Sequence, residues 1–559
     1  MKTCRMKKIF AALLTATLGL SVLAGCGSTD ENKTDDGSST ASSTEGTVQE
    51  LNYNIGADLK TLDPALNEAV DGAIILENLF VGLYKPDDNC VPEPGVAEGY
   101  DLSEDQTTYT FHLRKDVKWS NGDPLVAGDF EYAWKRVINP ETASGYAYQM
   151  MYLAGAEEYN KTGEGAENVG VKAIDDYTLE VKLVAPCTYF LDLTMFPCYF
   201  PVDQKVVEEN KDWSTKAETY VSNGPFKLTD YKIKDGAVLE KNDTYFDKDE
   251  VTLDKLNIKF VTEETSAWAN FKAGQFDMIY TVPKAEIQGG IADGTVINYP
   301  LIGTYYYSLN ISDKAKDLDP KAAEVLSDAR VRKALNLAID REAIVTNVTK
   351  GGEIAATSFV PEGIPDENGN DFKTKEYFPA KGDVEEAKKL LAEAGYANGE
   401  GFPTITLLFN PEGSHATIAQ AVQDMWKTNL GIDIELQSQE WKVFQQTRNE
   451  KNFLIARNGW GGDYNDPMTF LDLLQEKSGM NDSGYASAEY DKLVDEAKVE
   501  QDPAKRRELL HSAEDILMED MPIIPMYYYT QPTGIQPYVK GIKTSTLGFF
   551  YFDKVTVEK

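Results

Sequence analysis

Near residue 327 the sequence changes its rhythm, and the change limits the architectures open to it. Before that point apolar residues recur at every second position, in "TTYTFHLRKDVKW" (107–119), "DYTLEVKLVAP" (176–186) and "NGPFKLTDYKIKDGAVLEKNDTYF" (223–246). A two-residue period belongs to half-buried strands. The last stretch reads as a hairpin bent at Asp235-Gly236, and "ELNYNIGA" (50–57) reads as the first strand. One helix interrupts them, "AGDFEYAWKRVI" (127–138), with Asp129 near its start. After residue 327 helices alternate with strands. "SDARVRKALNLAIDREAIVTNVTKGG" reads as one helix, capped by Ser327 or Asp328, striped with Val331, Ala334, Leu335, Ala338 and Ile339, and ended by Gly351. "DVEEAKKLLAEAG" is a second, from Asp383 to Gly395. Strand "TITLLF", helix "ATIAQAVQDMWKTNL" and strand "IDIELQ" form a βαβ unit. "EYDKLVDEAKV" is a further helix and "MPIIPMYYY" a buried strand. The fold class is α/β with a β-rich N-terminal portion.

The N-terminus indicates where such a body works. Arg5, Lys7 and Lys8 precede an apolar run from Ile9 to Leu23, which reads as a signal peptide. Leu23-Ala24-Gly25-Cys26 resembles a bacterial lipobox, which implies cleavage before Cys26 and a diacylglycerol on its sulfur. Two fatty chains anchor stably where one does not. Residues 26–49 are a polar tether. No other run is apolar enough to span a bilayer. The formal charge of −36 over 559 residues excludes nucleic acid and anionic lipid headgroups as partners. It favours cationic ligands. Of the remaining cysteines, Cys90, Cys187 and Cys198, the last two could pair, although spacing does not establish it.

Enzyme chemistry finds no sequence signature. The three histidines, His112, His415 and His511, are far apart, and no HExxH, CxxC, GxSxG, SxxK or Walker loop occurs. "DENGND" from Asp366 is calcium-like but places Asp371 where the loop needs glycine and Tyr377 where it needs glutamate. No metal, no cofactor and no catalytic residue is expected.

One stretch asks for a function. In "RNGWGGDYNDP" (457–467), Gly461 and Gly462 bare the backbone between Trp460 and Asp463. Asp466, before Pro467 and a helical run, reads as a cap.

"TTYTFHLRKDVKWSNGDPLVAGDFEYAWKRVINP", "NGPFKLTDY", "SDARVRKALNLAIDREAI" and "EWKVFQQTRNEKNFLIARNGWGGDYNDPMTFLD" resemble, in order, blocks of the bacterial extracellular solute-binding proteins of the peptide family. The resemblance implies a two-lobed periplasmic-binding-protein clamp, type II, of the large three-domain variety. Domain I would be 50–80, 204–302 and 531–559; domain II, the extra β-rich lobe, 81–203; domain III, 303–530. Crossovers near 302 and 530 would form the hinge. The resemblance assigns Asp463 to the peptide's α-ammonium. Arg457, Gly459 and Trp460 share its block, and Gly459, Gly461 and Gly462 would clear the way for peptide backbone. Val70 matches a backbone contact, Tyr146 a tyrosine that closes on the peptide, and Trp441 and Arg448 pocket-lining positions. Tyr306 and Tyr529 are further candidates, although three consecutive tyrosines in a strand cannot all face one cleft. Enterobacterial members hold two cysteines where this chain has Gly303 and Gly461.

The resemblance implies a monomeric, lipid-anchored receptor on the extracellular face of the membrane that delivers short peptides to an ABC permease. Rival readings are the same fold carrying a sugar, opine, pheromone or metal chelate, an extracellular hydrolase, and a peptide sensor.

Overall fold

Two long strands form the spine of the structure. This computed structural model describes residues 48–87, 90–411 and 413–559; the signal segment, Cys26 and the tether up to residue 47 lie outside them. The strands Val296–Leu309 and Ile523–Ile535 pair antiparallel along their length. Both are rich in tyrosine and β-branched residues, which suit a pleated, buried surface. Their register slips between Pro300 and Thr304, so residues 301–303 lie across from Tyr529 alone. On one flank of the pair follow Ile455–Gly461, Ile405–Phe409 and Ile434–Ser438. On the other follow Met278–Ile279, Glu50–Asn54, Lys255–Lys259, Gly236–Lys241 and Phe226–Lys232. A separate four-stranded sheet joins Ala97–Leu102, Thr108–Leu113, Thr178–Lys182 and Val171–Asp175.

Local chemistry explains most elements. The helix Ala127–Ile138 buries Phe130, Ala133, Trp134 and Val137. The Asp129 carboxylate at its start accepts from Val126 N (3.0 Å) and Trp119 Nε1 (3.2 Å). The expected βαβ unit is present: Ile405–Phe409 and Ile434–Ser438 are parallel, and the helix His415–Leu430 joins them. That helix buries Trp426, whose Nε1 donates to Leu335 O at 2.8 Å. The hairpin at 226–241 also forms, with its bend at 233–235.

Cys187 and Cys198, whose pairing the spacing left open, are both buried free thiols. Two expectations need correction. The strand in 107–119 stops at Leu113, and the next residue, Arg114, pairs with Asp116 (3.0 and 3.1 Å). The helix expected across 327–351 is broken. Its first part, Ala329–Leu337, is capped by Asp328, which accepts from Arg330 N. Asp340 caps a second start at Arg341, and a wide turn, Ile344–Thr349, ends at Lys350 rather than Gly351. The cause is Arg341, which is fully buried. Its guanidinium donates to Pro525 O (2.7 Å) and to Asn336 O and Ile339 O (both 3.2 Å), so it gathers carbonyls from both sides of the break.

The central strands divide two cores. Tyr305 and Tyr307 join Trp426, Leu407 and Ile418 on one side. Tyr306 joins Phe359, Phe470 and Met468 on the other.

Candidate ligand site

The strand Ile455–Gly461 carries the candidate residues to the edge of a cavity. It pairs antiparallel with 303–309, so Arg457 lies opposite Tyr307, Gly459 opposite Tyr305 and Gly461 opposite Gly303. Gly303 and Gly461, the two positions singled out together in the sequence, are therefore cross-strand neighbours.

Asp463 lies just past the strand end and is half-buried. Its backbone N–H donates to Thr469 Oγ1 (3.1 Å), which fixes the turn. Its carboxylate accepts from the Tyr148 hydroxyl (3.3 Å). Among the described residues no lysine or arginine forms an ion pair with it. Burial pushes its pKa up to about 6; the Tyr148 hydrogen bond opposes that rise, and Asp472 adds to it. An anion removed from water without a cation is costly unless a ligand supplies one.

The adjoining cavity has a volume of about 460 Å3. Tyr148, Tyr152, Trp460, Asp463, Asp472 and Lys498 help to line it. Its lysines are engaged elsewhere: Lys498 donates to Gln475 Oε1 (2.6 Å), and Lys477 pairs with Asp495 (2.8 Å). Burial also raises Asp472, to about 6.

The other candidates fall into three groups. Trp460 lines the cavity, its Nε1 on Thr469 Oγ1 at 3.4 Å. Tyr146 stands close by, stacked on Tyr148 with ring centroids 5.7 Å apart. The electrostatics of Asp463 add to the burial that lifts its hydroxyl pKa to about 12. A second group surrounds Arg457, whose guanidinium lies 5.3 Å from the Tyr305 ring and 5.9 Å from the Trp441 ring. No carboxylate pairs with Arg457 among the described residues, and its Nε has no hydrogen-bond partner. Trp441 is 38% exposed on the helix Trp441–Asn449. Val70, apart from both groups, is 41% exposed at the first turn of Val70–Leu79.

The third group is committed to the protein itself. Arg448 holds Asp482 (2.9 Å) and donates to Asn458 Oδ1 (2.7 Å), so its charge is already matched. Tyr306 is buried with its ring edge-on to Phe359, because strand alternation turns it away from Tyr305 and Tyr307. Gly459 makes room for Tyr529: an added Cβ would lie 2.4 Å from that hydroxyl. Gly462 is held against Ile302 in the same way, at 2.7 Å. Only Gly461 of the three faces open space. Asp466 caps the following turn through Met468 N (2.8 Å), as expected, and also grips Arg506 at 2.7 and 2.8 Å.

Sequence reasoning did not select Tyr148, Thr469 or Asp472. The first stands two residues after Tyr146 in "GYAYQ", and nothing local marks one tyrosine over the other.

Comparison with known proteins gives this geometry its family. The oligopeptide-binding protein OppA of Bacillus subtilis (strain 168) is 40% identical, with 98% of this chain and 99% of that protein covered. The structure overlays that of MppA, a periplasmic murein tripeptide binding protein in its unliganded open form, with a TM-score of 0.79 at 32% identity, covering 92% of this chain and 98% of the other. Listeria monocytogenes OppA bound to peptide overlays with a TM-score of 0.69 at 29% identity, over 92% and 100% of the two chains. These overlays bear out the mixed α/β fold. Residues 91–482 match the family described as bacterial extracellular solute-binding proteins, family 5 Middle. Such membership, rather than any missing motif, places the chain among binding proteins and not enzymes. This protein belongs to the bacterial extracellular solute-binding proteins of family 5.

Proposed function

We propose that this protein is a lipid-anchored receptor that captures short peptides between two lobes and delivers them to an ABC permease. The observation that carries the reading is Asp463, a half-buried carboxylate met, among the described residues, by a tyrosine hydroxyl and by no cation. A free α-ammonium is the one cation that every linear peptide with an open N-terminus carries. In a poorly hydrated site it pairs strongly with a carboxylate. Arg457, a guanidinium without a carboxylate, supplies the opposite charge at the other end of the same segment. The names of the relatives, an oligopeptide-binding and a murein tripeptide binding protein, support a peptide as cargo.

The lobes would be 50–80, 204–302 and 531–559 with 81–203 on one side, and 303–530 on the other. The sheet order supports that division, since strands from 405–461 flank the spine on one side and strands from 50–279 on the other. Peptide bridging both lobes would favour the closed form. The higher score against an unliganded open relative supports an open form here.

Isothermal calorimetry with tetra-alanine tests the anchor. Asp463→Ala should weaken binding by about 2–5 kcal/mol, the range for removing one partner of a buried charge pair. N-acetyl tetra-alanine should bind the native protein as weakly as free tetra-alanine binds the variant. Unchanged affinity in both arms would sink the anchor. For the tether, Cys26→Ser should move the protein from the membrane fraction to the medium; retention there would refute lipidation.

A further inference from the structure

A crevice unrelated to Asp463 lies where the helix Val70–Leu79, the strand Tyr84–Pro86 and the segment 543–554 meet, with a volume of about 330 Å3. All of its lining residues come from 77–251 and 543–554. None belongs to 303–530, so its shape does not depend on closure of the lobes proposed above.

Its walls are aromatic, formed by Phe80, Tyr84, Phe200, Tyr245 and Tyr551. Glu77 lines it and is only 6% exposed. The Tyr551 hydroxyl donates to this carboxyl, but among the described residues Oε1 has no hydrogen-bond partner. The nearby cations are engaged. Lys85 Nζ lies 2.9 Å from Asp247 and 3.6 Å from Glu93. Lys543 donates to Pro86 O at 2.8 Å and sits over the Tyr551 ring at 4.6 Å. Glu250 and Asp553 add further negative charge at the rim. A buried acceptor without a donor destabilises the fold unless something supplies one.

We propose that this crevice is a second ligand site, for a small organic cation: one ammonium on an aromatic or aliphatic body. The ammonium donates to Glu77 Oε1, and the body packs against Phe80, Tyr84 and Tyr245. Aromatic faces attract a cation as well as its apolar frame. The volume suits a small ligand, at the lower end of the usual range of about 300–1,000 Å3. Burial holds the Glu77 carboxyl well above the usual carboxylate range, against the opposing pull of the Tyr551 hydroxyl and the Lys543 charge. Binding therefore forms an ammonium–carboxylate pair and releases the Glu77 proton to solvent.

Calorimetry of the full chain with benzylamine, and with benzyl alcohol as its neutral twin, tests this. Benzylamine should bind saturably in the millimolar range, and its heat should vary with the ionisation enthalpy of the buffer. Benzyl alcohol should bind at least about tenfold more weakly. Glu77→Gln should weaken benzylamine by about tenfold, and Met195→Trp, which fills the crevice from its wall, should abolish binding. Asp463→Asn should leave it unchanged. Unaltered tetra-alanine affinity in Met195→Trp would show that the variant is folded. Equal binding of the alcohol, binding that survives Met195→Trp, or loss of benzylamine in Asp463→Asn would each overturn the assignment. The last outcome would relocate the amine to the Asp463 site without touching the peptide reading.

Discussion

At the residue scale, Asp463 costs the empty fold stability at neutral pH, and the proposed anchor role would explain why that cost is kept. Burial raises its folded pKa to about 6 from an ordinary 3.8, so the native state holds that proton more tightly than the unfolded chain does. The resulting cost is absent at and below about pH 4, grows as pH rises and is complete above about pH 6. Asp463→Asn should therefore melt at a higher temperature than the native protein above pH 6 when empty, with the gap closing toward pH 4. Peptide affinity should move the other way. It should fall as pH drops through about 6, because a protonated carboxyl no longer attracts an α-ammonium. Calorimetric affinity that stays flat from pH 5 to pH 7 would show that the charge takes no part. Asp463 stood out in the sequence because a helix or strand rarely holds two adjacent glycines, although Gly461 does end the strand Ile455–Gly461. Tyr148 did not, because its meaning depends on a carboxylate 315 residues further on. Gly459 was singled out for peptide access; that it also lies against the Tyr529 hydroxyl was not legible, since Tyr529 comes from another strand.

At the scale of the element, capping chemistry was readable and tertiary breaks were not. Asp328 and Asp383 both accept from backbone N–H groups at their helix starts, as local spacing suggested. The break after Leu337 has only one local signal, the Asp340 that caps the second start, and the apolar pattern masks it. Its apolar stripe runs straight through, with Val331, Ala334, Leu335, Ala338 and Ile339 all buried as expected. What ends the helix is Arg341 reaching Pro525 O, 184 residues away. Arg341→Met should remove that fork and leave several buried carbonyls without donors, at about 1–3 kcal/mol each. Denaturant titration should show a loss of at least about 3 kcal/mol. A smaller loss would mean that water or a shifted backbone replaces the guanidinium.

At the scale of the whole molecule, the change of period at 327 foretold the contrast between an antiparallel four-stranded sheet and a parallel βαβ unit. The way the two halves share one sheet was not legible, because strand order depends on long-range pairing. The slip at 301–303 against Tyr529 lies where the lobes would pivot. Saturating tetra-alanine should therefore reduce the radius of gyration seen by small-angle X-ray scattering, and Asp463→Ala should remain expanded at the same peptide concentration. An identical radius with and without ligand would rule out closure about these strands.

The tyrosine run 305–307 has one more consequence. Its odd members are packed on one side and its even member on the other, so a single ribbon serves as the common wall of both hydrophobic interiors. Neither interior can melt without exposing the back of the other. The shared wall thereby keeps the fold from coming apart piecemeal, and heat should dismantle these two regions together.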